Sequence, residues 1–147
     1  FCLSKGLAAP VGSLVCGAAS FVDDARRARK LIGGGMRQAG VLAAAGIVAL
    51  TEMVDRLADD HANAKKLAEG LADMKGLEID SNSIKTNIVY FETAGDNLPA
   101  IKLESRLKAQ GVKISAFGPR RLRAVTHYHI TAEDIDIALD VFSKILK

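Results

Sequence analysis

Three groups of residues could do chemistry, and the first is a lysine set between two small neighbours, Ser4-Lys5-Gly6. A lysine amine that is partly desolvated or placed beside other cations loses its proton and forms an imine with an aldehyde. Gly6, Pro10 and Gly12 specify tight backbone around it, and the small neighbours leave room for a ring. The second group is the run Gly33-Gly34-Gly35-Met36-Arg37-Gln38-Ala39-Gly40, preceded by Arg29-Lys30. Glycine-rich turns at helix starts bind phosphate through backbone amides, and an adjacent arginine adds charge. The third is Pro119-Arg120-Arg121-Leu122-Arg123-Ala124-Val125-Thr126-His127. Strand alternation puts Arg121 and Arg123 on one face and Leu122 on the other. A planar guanidinium there grips a carboxylate through two parallel hydrogen bonds. Each group also has a plainer reading, as a surface lysine, a helix end and a solvated strand edge.

These residues need elements to position them. Phe1–Leu3 reads as a strand end delivering Lys5 into a turn, and Gly12–Gly17 as a short buried strand. Ser20 offers a helix cap, and Phe21, Val22, Ala25, Ala28 and Ile32 recur at helical spacing until the three glycines. From Gln38 to about Met74 the pattern is helical, with breaks expected at Gly46 and at Asp59-Asp60-His61. Within it His61 falls on the apolar seam as a packed histidine, while Glu52, Asp55, Asp59 and Asp60 read as a solvated face. The last third alternates strands (76–80, 87–92, 113–116, 122–126) with a helix opened by Asn97 and Pro99 and another opened by Thr131 and Asp134, a capping-box spacing. Helices on one face of a small, mostly antiparallel sheet satisfy this order. His127 and His129 would share a strand face, but without a third ligand nearby no metal site is expected.

The segment Cys2-Leu3-Ser4-Lys5-Gly6-Leu7-Ala8-Ala9-Pro10-Val11-Gly12-Ser13, taken with the glycine run through Gly40, resembles the low-specificity L-threonine aldolases. Thr86-Asn87-Ile88-Val89-Tyr90-Phe91 and Arg123 to His127 add weaker support. The resemblance implies an α/β chain with the aspartate aminotransferase fold (fold type I of the pyridoxal-phosphate enzymes). Residues 1–47 would be the tail of the large cofactor-binding domain and 48–147 the small α+β C-terminal domain. It implies pyridoxal 5'-phosphate held covalently by Lys5, with Arg37 on the phosphate, Lys30 near it without a defined task, and Arg123 on the substrate carboxylate. Arg121 takes that role if the alignment slips by two.

The implied reaction is cleavage of L-threonine or L-allo-threonine to glycine and acetaldehyde by a homotetrameric lyase. Family members place the partner of the pyridine nitrogen, the ring-stacking histidine, the hydroxyl base and most phosphate contacts before the lysine. The chain is therefore expected to be a C-terminal fragment, inactive without the N-terminal half of the same enzyme. Two rivals are a β-eliminating lyase of the same fold and a non-catalytic α/β assembly module.

Composition narrows the field less. The chain has 147 residues, 49% of them hydrophobic, and 20 Lys and Arg against 17 Asp and Glu. It can bury an ordinary core, and no sustained basic stripe suggests nucleic acid. The most apolar stretch, Val41–Leu50, is about half the ~20 residues a membrane span needs. Cys2 and Cys16 sit in apolar surroundings without paired spacing, which reads as buried thiols in a cytoplasmic protein.

Overall fold

A computed structural model describes residues 1–95 and 97–147. The chain forms two compact units, Phe1–Leu57 and Ala58–Lys147.

In the first unit, Cys2 and Ser13 form an antiparallel bridge. The Leu3 amide donates to the Gly12 carbonyl (2.9 Å) and the Leu14 amide to that of Phe1 (2.8 Å), closing a loop around Lys5. Helix α1 (Ala19–Leu31) begins at Ala18, without a side-chain cap, so the Ser20 hydroxyl does not fill the expected role. It ends as its sequence predicts. Gly33 takes φ +84°, where glycine carries no Cβ penalty, and the Gly33 and Gly34 amides return to the carbonyls of Lys30 (3.2 Å) and Arg29 (2.8 Å).

Helix α2 (Gly40–Glu52) runs unbroken through Gly46. That glycine is buried against Leu3, whose Cδ1 would lie 3.1 Å from an added Cβ, so it marks a close approach and not the expected break. Leu3, Leu7, Ala9 and Ala49 form a small buried cluster, with Met53 and Leu57 packed against it. The helical pattern is instead interrupted between Glu52 and Leu57. Both cysteines are exposed, because the short strand expected around Cys16 is not formed and nothing in the unit covers it.

The second unit is a four-stranded antiparallel sheet in the order β1 (Leu77–Glu78), β2 (Ile88–Thr93), β4 (Arg121–Val125), β3 (Ser115–Ala116). Helices α3 (Leu57–Ala72), α4 (Ala100–Ala109) and α5 (Ala132–Leu146) supply the rest of its core. Strand alternation sends Val89, Phe91, Leu122 and Ala124 inward to meet Leu67, Leu71, Leu103, Leu107, Ile135 and Phe142. Burying each of the larger side chains contributes roughly 1.5–3 kcal/mol. Phe91 and Phe142 meet edge to face at 5.7 Å.

Helix α5 opens with the expected capping box: Thr131 accepts from the Asp134 amide, and the Asp134 carboxylate accepts from the Thr131 amide. Helix α4 is preceded by Pro99, with no side-chain cap from Asn97. Two expectations for α3 fail for one reason, a shifted seam. Asp60 is buried (1% exposed) with Asn63, Ala64, Leu67, Ala68 and Leu71, while His61 points to solvent. The Asp60 backbone carbonyl accepts the buried Thr126 hydroxyl at 2.6 Å.

Candidate functional site

Lys5 is exposed in a turn that closes when the Ala8 amide donates to its carbonyl (2.9 Å). Leu3, Leu7 and Ala9, buried on either side, anchor the turn and leave the Lys5 amine outward. Ala8 reaches this shape only with φ +58°, a left-handed backbone that a non-glycine residue adopts at a cost of roughly 1 kcal/mol or more.

Arg37 is likewise exposed, in the turn between Gly35 and the start of α2. Its neighbour Gln38 has φ +53° and is the other left-handed non-glycine among the described residues. The two strained positions thus lie three residues from Lys5 and one from Arg37, a pattern that strain at functional loops produces. At Gly35 an added Cβ would stand 3.1 Å from the Lys30 Nζ, so the missing side chain lets that ammonium lie over the glycine run. A primary amine in one loop, and an ammonium and a guanidinium at a glycine run, are the donor types that suit an aldehyde bearing a phosphate. By donor type these residues fit pyridoxal phosphate.

Arg123 belongs to the second unit, on the sheet face away from the helices. It stands opposite Tyr90 of β2 and Ser115 of β3. Its guanidinium carbon lies 4.6 Å from the centre of the Phe117 ring, and Phe117 meets Tyr90 edge to face at 6.4 Å. The Arg123 Nε is buried without a hydrogen-bond partner. Its neighbours are engaged: Arg121 pairs with Glu92 at 3.1 Å, and Arg120 pairs with Glu78 at 3.0 Å and donates to the Thr93 carbonyl. Of the arginines in this cluster, Arg123 is the one without an ion pair among the described residues.

His127 and His129 follow β4 in a turn, not on a strand face as expected, since the ladder ends at Val125. Their rings lie 5.9 Å apart, and the His129 amide donates to His127 Nδ1 at 3.3 Å. No group of three His, Cys, Asp or Glu able to hold a metal occurs among the described residues, and no described helix is long and apolar enough to cross a membrane. Residue types alone did not single out Phe117, nor the strain at Ala8 and Gln38. Pairing the strands that carry Tyr90 and Arg123 would have brought those two together, but nothing local marks Phe117 as their neighbour.

Comparison with known proteins gives the family and the fold. The chain is 44% identical over 144 residues to low-specificity L-threonine aldolase 1 of Arabidopsis thaliana, covering 97% of this chain and 40% of that protein. It is 43% identical over 134 residues to the low specificity L-threonine aldolase of Escherichia coli K12, covering 91% of this chain and 38% of that protein. The chain thus spans about two fifths of the curated relatives it matches. Among solved structures, a putative L-allo-threonine aldolase from Listeria monocytogenes superposes with TM-score 0.74 at 16% identity over 97% of this chain and 43% of its own. The 8-amino-7-oxononanoate synthase of Francisella tularensis does so with TM-score 0.72 at 27% identity, over the same shares. The fold is that of the fold type I pyridoxal-phosphate enzymes, as the resemblance implied. A family model described as beta-eliminating lyase matches residues 1–94, more than half of the sequence, and the chain belongs to that family.

Proposed function

We propose that the protein containing this chain is a pyridoxal-phosphate-dependent aldehyde-lyase that cleaves L-threonine or L-allo-threonine to glycine and acetaldehyde. The identity of 43–44% to low-specificity threonine aldolases across nearly the whole chain carries this reading. Pyridoxal phosphate, when bound, supplies an electron sink for the pair released as a bond at Cα breaks.

The chain's own residues do the holding and orienting. Lys5 would hold the cofactor covalently through its amine. Arg37 would bind the phosphate, and Lys30, which lies over Gly35, would add positive charge there. Arg123 clamps the substrate carboxylate. A fixed carboxylate limits the orientations open to the other Cα substituents, and that choice separates Cα–Cβ cleavage from loss of the carboxylate or of the α-proton. In this reading residues 1–47 complete the cofactor domain and 48–147 form the small domain of a cytoplasmic homotetramer. The 147 residues alone bind the cofactor weakly and turn over nothing, because the hydroxyl base and the ring-stacking group are supplied from elsewhere.

Product analysis of the full-length holoenzyme tests the assignment. Acetaldehyde and glycine released from threonine support it. Pyruvate released from a β-substituted alanine, without acetaldehyde from threonine, would replace the aldolase with a β-eliminating enzyme of the same family.

A further inference from the structure

The surroundings of Arg123 point to a second residue that acts on the substrate carboxylate. We propose that Phe117 is a positioning residue: its ring holds the Arg123 guanidinium in the plane that presents the two terminal nitrogens to a carboxylate. The inference rests on the reading of Arg123 given above and extends it.

Among the described residues, neither a hydrogen bond at Nε nor an ion pair fixes this side chain. Nε is buried with no partner, no described carboxylate pairs with the group, and the nearest acidic side chain on the paired strand, Glu92, is taken by Arg121. What remains is the Phe117 face, with the guanidinium carbon 4.6 Å from its centre, itself braced edge-on by Tyr90. A guanidinium stacked on an aromatic ring keeps its terminal N–H groups in plane and free for a bidentate contact. Desolvating Nε leaves those terminal groups to answer the charge, so an anion arriving there is bound more strongly than at a fully hydrated arginine. Phe117 is held in turn by its own backbone: its amide donates to the Arg121 carbonyl at 2.7 Å, closing the turn between β3 and β4. The ring is half exposed (49%), so replacing it removes little core packing.

The test uses the full-length holoenzyme with L-threonine and L-threonine amide, which lacks the carboxylate charge. Phe117→Leu is expected to raise KM for threonine roughly three- to thirtyfold, the range a cation–π contact supports, with kcat within about twofold. It should also reduce the preference for threonine over the amide, and Phe117→Tyr should restore both. Arg123→Gln, which removes the charge, separates the two levels of the argument. If it leaves the preference intact, the reading of Arg123 fails and the role of Phe117 falls with it. If it removes the preference while Phe117→Leu leaves KM and preference unchanged, the positioning role alone is overturned. Equal losses on threonine and amide in Phe117→Leu would mark a merely structural residue and overturn it as well.

Discussion

Phe1–Leu57 and Ala58–Lys147 treat their apolar side chains in opposite ways. Among its described residues the second unit buries fourteen apolar ones in a core that includes Phe91 and Phe142, and its three helices each contribute to it. In the first, α1 buries nothing, α2 buries only Gly46 and Ala49, and Leu31, Ile32, Val41 and Ile47 all stand exposed. Patches of that kind mark surfaces made for contact with other protein. The candidate cofactor residues lie in the unit that leaves its surface open, and the candidate substrate arginine in the unit that closes its own core. Cofactor binding should therefore depend on protein beyond these residues, whereas the Arg123 face is built by local pairing.

The contrast can be broken most sharply by cutting it. Residues 58–147 expressed alone are expected to unfold in one cooperative step on urea titration, and residues 1–57 to show none and to bind a hydrophobic dye. Cooperative unfolding of 1–57 would remove the distinction. Single substitutions in the 147-residue chain sharpen it next. Leu103→Ala should cost about 2–5 kcal/mol by chemical denaturation, and Val41→Ser less than about 0.5 kcal/mol. Within the second unit, Thr126→Val removes the buried hydroxyl bonded to the Asp60 carbonyl (2.6 Å) and should cost roughly 1–2 kcal/mol.

Within the second unit the smallest effect is at the α5 cap, where Thr131→Ala should cost about 1 kcal/mol. The hydrogen bonds from the Thr131 backbone and hydroxyl hold the Asp134 carboxyl below the usual aspartate value. A depressed folded-state value stabilises the protein above the unfolded value, and that contribution disappears as pH falls through the folded one. The stability gap between the native chain and Asp134→Asn should thus be constant near neutrality and shrink below about pH 4. A gap that widens on acidification would contradict the cap's electrostatic role.

What could be read from the sequence was what neighbours decide. The capping box at Thr131 and Asp134, the glycine stop after α1 and the alternation of Arg121 and Arg123 each rest on residues within a few positions of one another. The tight loop around Lys5 was legible because Gly6, Pro10 and Gly12 stand within a few positions of it. Burial of Asp60 was not, since that turn of α3 meets Thr126, far along the chain, and a charged residue beside His61 reads as solvated until the chain is folded. Gly46 was misread for the same reason: only Leu3, more than forty residues earlier, turns a helix breaker into a contact. The hold of Phe117 on Arg123 depends on how the β3–β4 turn folds over the sheet face, which periodicity does not encode.

The central claim, that Lys5 carries the cofactor, is tested most directly by reducing the full-length protein with borohydride in the presence of pyridoxal phosphate and mapping the added mass by peptide analysis. The account predicts a single label on Lys5, lost in Lys5→Ala, and much weaker labelling of the 147-residue chain alone. Label spread over many lysines, or absent from Lys5 in the full-length protein, would contradict it.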